Sequence, residues 1–134
     1  VTKLDLLNLY SLDNEFVSIY HGNSNWSVEQ CVEDSWNGIK DLELHNTEYG
    51  YIAINRDDLI IRLAGFFIKP EFRNKAGKAL FIADLKRLMP DIFMAYIHSS
   101  NKKAIKFLSS IGTITKDDKI TTYIVFRQEN ICLG

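Results

Sequence analysis

A chain of 134 residues that is 46% hydrophobic, 12% aromatic and 25% charged has the length and composition of one domain able to bury its own core. Sixteen Lys and Arg against 17 Asp and Glu leave a formal charge of −1, which argues against a nonspecific nucleic-acid binder or a polybasic membrane surface. Cys31 and Cys132 match no metal or redox spacing and no apolar run is long enough to cross a bilayer, so the expectation is one domain, 1–134, without a metal, a membrane span or a signal peptide, in the cytoplasm.

In chain order, Leu4–Tyr10 reads equally as a strand or a helical turn. Ser11–Gly22 reads as a short helix stopped by glycine. Ser27-Val28-Glu29-Gln30 is a capping box, and behind it Val28, Cys31, Val32, Ser35, Trp36 and Ile39 fall on one helical face. Cys31 on that stripe is expected to be a buried, inert thiol, and Trp36 a core residue. Leu42–His45 and Tyr49–Asn55 suggest a hairpin split by Asn46-Thr47-Glu48. Leu59–Ile68 is nearly continuous apolar, as a strand covered on both faces would be, and stops at Lys69-Pro70. Gly77–Met89 has helical spacing through Leu80, Phe81, Leu85 and Leu88. Ile92–Ile97 reads as a second buried strand, and Asn101–Ile111 as a helix with Ala104, Ile105, Leu108 and Ile111 on its stripe. Thr113–Thr115 and Ile120–Arg127 close the chain as a hairpin. The expected class is α/β (α+β): an antiparallel meander, a right-handed βαβ step and a terminal hairpin, with helices on both faces.

Two loops carry chemistry. After the strand ending at Ile68, Arg73, Lys75 and Lys78 surround the start of a helix at Ala76-Gly77. Helix N-termini present unpaired N–H groups and positive potential to anions, and small residues admit close approach. The bland alternative is a basic strand-to-helix loop. The second loop, His98-Ser99-Ser100-Asn101, ends the other buried strand. Ligands gather at the carboxyl ends of parallel strands, and the alternative for each of these residues is a helix cap.

The segment Pro70-Glu71-Phe72-Arg73-Asn74-Lys75-Ala76-Gly77-Lys78-Ala79-Leu80 resembles the acetyl-CoA loop of the GCN5-related N-acetyltransferase (GNAT) superfamily. Asn101-Lys102-Lys103-Ala104-Ile105-Lys106-Phe107-Leu108-Ser109-Ser110-Ile111-Gly112 is similar to that family's second signature. The resemblance covers residues 42–127. It implies a mixed sheet whose two parallel strands splay around acetyl-CoA. Phe67 and Ile68 would pair with the pantetheine arm, and Arg73, Asn74, Lys75, Ala76, Gly77 and Lys78 would surround the pyrophosphate. Asn101 would hold the pantetheine region.

The sequence departs from the pattern in three places. The Arg73–Gly77 turn is one residue short and carries Ala76 for its first glycine. Leu108 stands where the family has a proton-donating Tyr. The strand Leu59–Ile68 holds no carboxylate, Arg62 being its one ionisable residue. Acid–base work would then fall to His98 or Tyr123, with His45, Glu43 and Glu48 behind them, or the amine would have to arrive already neutral. The implied activity is transfer of an acetyl group to an amine of a small molecule or a protein. The alternative is a non-catalytic binding or structural protein on the same fold. The Phe107-Leu108-Ser109-Ser110-Ile111-Gly112 ending is similar to small bacteriophage proteins of this type, which would place the chain in host cytoplasm or virion.

Overall fold

The computed structural model describes residues 1–20 and 25–131; Gly22, read as a helix stop, and Cys132 lie outside the described residues. Two reciprocal capping boxes start helices in the N-terminal third. Thr2 Oγ1 accepts the Asp5 N–H at 3.1 Å and the Asp5 carboxylate accepts the Thr2 N–H at 2.8 Å, which resolves the ambiguous first segment as helix α1, Lys3–Tyr10. Ser27 and Gln30 do the same for α3, Val28–Ile39, as its sequence predicts. Between them runs α2, Asn14–Ile19, capped by Asp13 through the Phe16 N–H at 3.0 Å.

Six strands of the described residues form one sheet: β1 Glu43–Thr47, β2 Gly50–Asn55, β3 Arg62–Ile68, β4 Ile92–His98, β5 Thr113–Asp117 and β6 Thr121–Arg127, in the order β1-β2-β3-β4-β6-β5. Among the described residues only β3 and β4 pair in parallel, linked by α4, Lys75–Leu88; α5, Lys102–Ser109, follows β4. The β1–β2 turn is tighter than expected, Thr47 pairing directly with Gly50. Gly50 has φ +154°, and a Cβ there would lie 1.8 Å from the Phe67 carbonyl oxygen, so this position accepts glycine alone.

The sheet separates two cores. One face packs Ile52, Ile54, Leu63, Phe93, Ala95, Ile124 and Phe126 against Phe81, Ile82 and Leu85 of α4 and Leu108 of α5. The other packs Tyr51, Ala53 and Phe67 against Leu6, Leu9 and Tyr10 of α1 and Cys31, Val32 and Ile39 of α3. β2 is buried along nearly its whole length because both of its faces are covered. Cys31 is fully buried and burial raises its thiol pKa, which makes it unreactive at neutral pH.

The sequence expectations for two elements are corrected. Leu59 and Ile60 are exposed and precede β3 in a bend; an apolar run alone does not mark where strand pairing begins. α4 starts two residues earlier than Gly77 because Asn74 caps it, and it buries Ile82 while Leu80 stays exposed. Among the described residues, no helix is long and apolar enough to cross a membrane.

Candidate functional site

β3 and β4 pair at two positions only, Arg62 with Met94 and Leu63 with Ala95, and then diverge. A bulge causes the divergence. Against β2, Ile54 faces Leu63 and Ala53 faces Gly65, so Ala64 is an extra residue on β3, and a bulged strand bends and twists away from its neighbour. The bulge also reverses which backbone groups face β4. Lys69 N–H bonds the Tyr49 carbonyl at 2.7 Å, so Phe67 pairs its backbone with β2, while the amides of Phe66 and Ile68 turn toward the gap.

The gap is a cleft of about 630 Å³ that opens on both faces of the sheet. On the α4–α5 side it is walled by Phe66, Phe72, Lys78, Ala104 and Phe107. On the other side lie Tyr10, Phe16, Ser35, Tyr51 and Phe67. α2 straps the two jaws together. Asp13 pairs with Arg73 at 2.6 Å, Glu15 with Lys103 at 2.8 Å, and the Ile19 carbonyl accepts the Ser100 hydroxyl at 3.1 Å.

At the mouth on the α4 side, Asn74 Oδ1 accepts the Gly77 N–H at 2.9 Å and its carbonyl accepts the Lys78 N–H. The Lys75 and Ala76 N–H groups of the first turn have no intrahelical acceptor. Lys78 Nζ reaches over the Phe107 ring to the Ser110 hydroxyl at 3.1 Å, and Lys75 is exposed beside it.

The predicted residues divide. Lys75, Ala76 and Lys78 gather at one helix start, and Ile68, Asn74, Lys78, His98 and Asn101 line the cleft. Gly77 is buried and faces inward: a Cβ there would lie 1.7 Å from the Phe72 carbonyl oxygen, so its smallness serves helix–loop packing rather than a ligand. Arg73 turns away from the helix start. Its Nε donates to the Ile68 carbonyl at 2.8 Å and its guanidinium covers Phe67 and holds Asp13. Phe67 contributes a ring, packed on Tyr10 and Phe16 at 5.3 Å, in place of a free backbone edge. Asn101 caps α5 through the Ala104 N–H at 3.2 Å.

Of the acid–base candidates, His98 lines the cleft with Nδ1 2.7 Å from the Ser100 hydroxyl. Tyr123 is not among the lining residues; it packs across the strands on Tyr96 at 4.9 Å, with Lys116 over its ring. Glu43 and His45 pair with each other at 2.7 Å on edge strand β1, and Glu43 also holds Arg56. Leu108 is sealed in the core and Phe107 takes the cleft side of α5. Sequence reasoning missed the tyrosines. Tyr10 and Tyr51 lie in apolar stretches where aromatic rings read as plain core, and the only signal was their hydroxyls. Among the described residues, no cluster of His, Cys, Asp or Glu forms a metal site.

No protein-family model and no curated protein matches the chain by sequence. By structure it is similar to the PaiA N-acetyltransferase of Thermoplasma acidophilum in complex with coenzyme A, at 17% identity, with TM-score 0.62 and 95% of each chain covered. It is similar to an acetyltransferase of the GNAT family from Staphylococcus aureus Mu50, at 17% identity and TM-score 0.57, over 94% of this chain and 92% of that one. YncA of Salmonella typhimurium, solved with its cofactor acetyl-CoA, aligns at 16% identity and TM-score 0.50, over 96% of this chain and 91% of that one. The forked β3–β4 pair, the strand order and these alignments agree that the chain has the fold of the GCN5-related N-acetyltransferase (GNAT) superfamily.

Proposed function

We propose that this protein is an acyl-CoA-dependent N-acyltransferase that moves an acetyl group from acetyl-CoA to an amine of a small molecule or a protein. The observation that carries the reading is the cleft through the β3–β4 fork, with a cationic helix start on one face and an aromatic chamber on the other. Two reactants can enter from opposite sides and meet in the sheet.

The residues on the α4 side fit an acyl-CoA. The turned-out amides of Phe66 and Ile68 offer a strand edge to the amides of a pantetheine arm. Phe66, Ala104 and Phe107 are apolar walls that exclude water from it. The Lys75 and Ala76 N–H groups, with the Lys75 and Lys78 ammonium groups, offer donors and charge to a pyrophosphate. The cofactor, when bound, supplies an acetyl thioester already activated toward amines. This chain's part is to align it, to offer N–H donors to a carbonyl at the fork, and to accept the amine's proton. His98 is a candidate for contact with the acceptor, being on the cleft wall at the end of β4.

A second reading, a binding or structural protein on this fold, draws on Leu108, which replaces a proton donor with a buried hydrocarbon. Calorimetry with acetyl-CoA, followed by thiol release in the presence of a panel of amines, tests both. Binding with amine-dependent thiol release is expected. Binding without release favours the second reading, and no heat and no thermal shift at millimolar acetyl-CoA defeats the first. Lys75→Ala and Lys78→Ala are each expected to weaken binding roughly fivefold at low salt, less at high salt.

A further inference from the structure

We propose that an amine seated at the fork gives up its proton through a line of four hydroxyls, Tyr51, Tyr10, Ser35 and Tyr20, that ends on the Asp34 carboxylate. This rests on the transferase reading and supplies what that reading lacks, since β3 brings no carboxylate to the fork.

The line is continuous. The Tyr51 and Tyr10 oxygens are 2.8 Å apart, Tyr10 donates to Ser35 Oγ at 2.9 Å, Ser35 and Tyr20 are 2.6 Å apart, and Tyr20 donates to Asp34 Oδ2 at 2.8 Å. Its direction follows from counting protons. Each hydroxyl has one. Tyr20 gives its proton to Asp34, so Ser35 must give to Tyr20; Tyr10 gives to Ser35, so Tyr51 must give to Tyr10. Every bond points from the sheet toward Asp34, and the Tyr51 oxygen keeps a lone pair for a further donor.

Both ends are placed for transport. Tyr51 lines the cleft at 3% exposure, and its ring stands against Gly65, two residues beyond the last β3–β4 pair; a Cβ on Gly65 would lie 3.7 Å from Tyr51 Cε2. Asp34 is on the exposed side of α3. Between them Tyr10 is 2% exposed. Burial holds the phenols of Tyr10, Tyr20 and Tyr51 above their ordinary pKa, so they stay neutral and pass a proton on without storing charge.

In the step, one N–H bond of the ammonium breaks and its electron pair stays on nitrogen. Tyr51 takes that proton as its own moves to Tyr10, and so on through Ser35 and Tyr20. An O–H bond forms on Asp34, which then releases the proton to water. Four O–H bonds break and four reform, with no change of oxidation state. Tyr51 is the catalytic residue of the line, and the others position and relay.

The first test uses the ligand-free protein: proton NMR of the tyrosine hydroxyls. Slowly exchanging signals are expected for Tyr10 and Tyr51. Asp34→Asn should shift the Tyr51 signal, and should no longer shift it once Ser35→Ala breaks the line. A Tyr51 signal indifferent to Asp34→Asn overturns the relay. The second test is kinetic. Ser35→Ala and Tyr51→Phe are expected to lower kcat about a hundredfold with the calorimetric affinity for acetyl-CoA unchanged, and Ser35→Thr to restore most of it. Full kcat in Ser35→Ala overturns the relay and leaves the transferase reading standing. Failure of the unaltered protein to bind acetyl-CoA, or to acetylate any amine of the panel, overturns both.

Discussion

Arg73 grips Asp13 at 2.6 Å, and the same guanidinium group ties down the end of β3 through the Ile68 carbonyl. Asp13 is also the cap of α2. One side chain therefore fixes the short helix that closes the Tyr10–Phe16 side of the cleft, and the most motif-like cation of the chain is spent on that brace.

Arg73→Ala leaves Asp13, which is nearly buried, without its partner. The loss of charge-assisted bonds is expected to cost about 2 kcal/mol, read as a lowered urea midpoint. Acetyl-CoA affinity is expected to change less than in Lys75→Ala. An Arg73→Ala protein of unaltered stability would show that the brace contributes nothing.

Gly77 and Ala76 are neighbours with opposite tolerances. Gly77→Ala drives a methyl group onto the Phe72 carbonyl oxygen, a backbone atom that cannot swing away, and is expected to destabilise by about 2–3 kcal/mol. Ala76 is exposed, so Ala76→Gly should cost no more than about 1 kcal/mol, the difference in helix propensity. Thermal melts of the two variants decide the matter, and equal midpoints would contradict the close approach.

Glu43 is the group whose titration should be visible in stability. Arg56, bonded to both carboxylate oxygens at 2.7 and 2.9 Å, and His45 at 2.7 Å hold its pKa down to about 2. An unfolded Glu titrates near ~4.3. The stabilisation is therefore complete above that value and fades as pH falls toward 2. The pair is partly exposed, which limits its worth to about 1 kcal/mol or less. Glu43→Gln should lower the urea midpoint at pH 7 and converge with the parent protein between pH 4 and 2; a gap that stays constant over that range refutes the assignment.

Local chemistry by itself determined much of this protein. Ser27 with Gln30 announces α3, Pro70 ends β3, and two buried strands around a helix require a parallel pair, because capping, ring closure and periodicity act over a few residues. The cationic helix start at Lys75 and Lys78 was legible for the same reason, as was His98 at a strand end. Thr2 with Asp5 was equally local, yet Leu4–Tyr10 reads both ways because an aliphatic segment satisfies more than one period. What only the tertiary structure decided is direction and meeting. The unpaired Ala64 opens the fork, and it shows only once β2 lies beside β3. Arg73 points to Asp13 because α2 folds across the strand ends. Tyr10, Tyr20, Ser35 and Tyr51 come from two helices, the end of a third and a strand, and their hydroxyls meet because the packing of these elements brings them within hydrogen-bond reach.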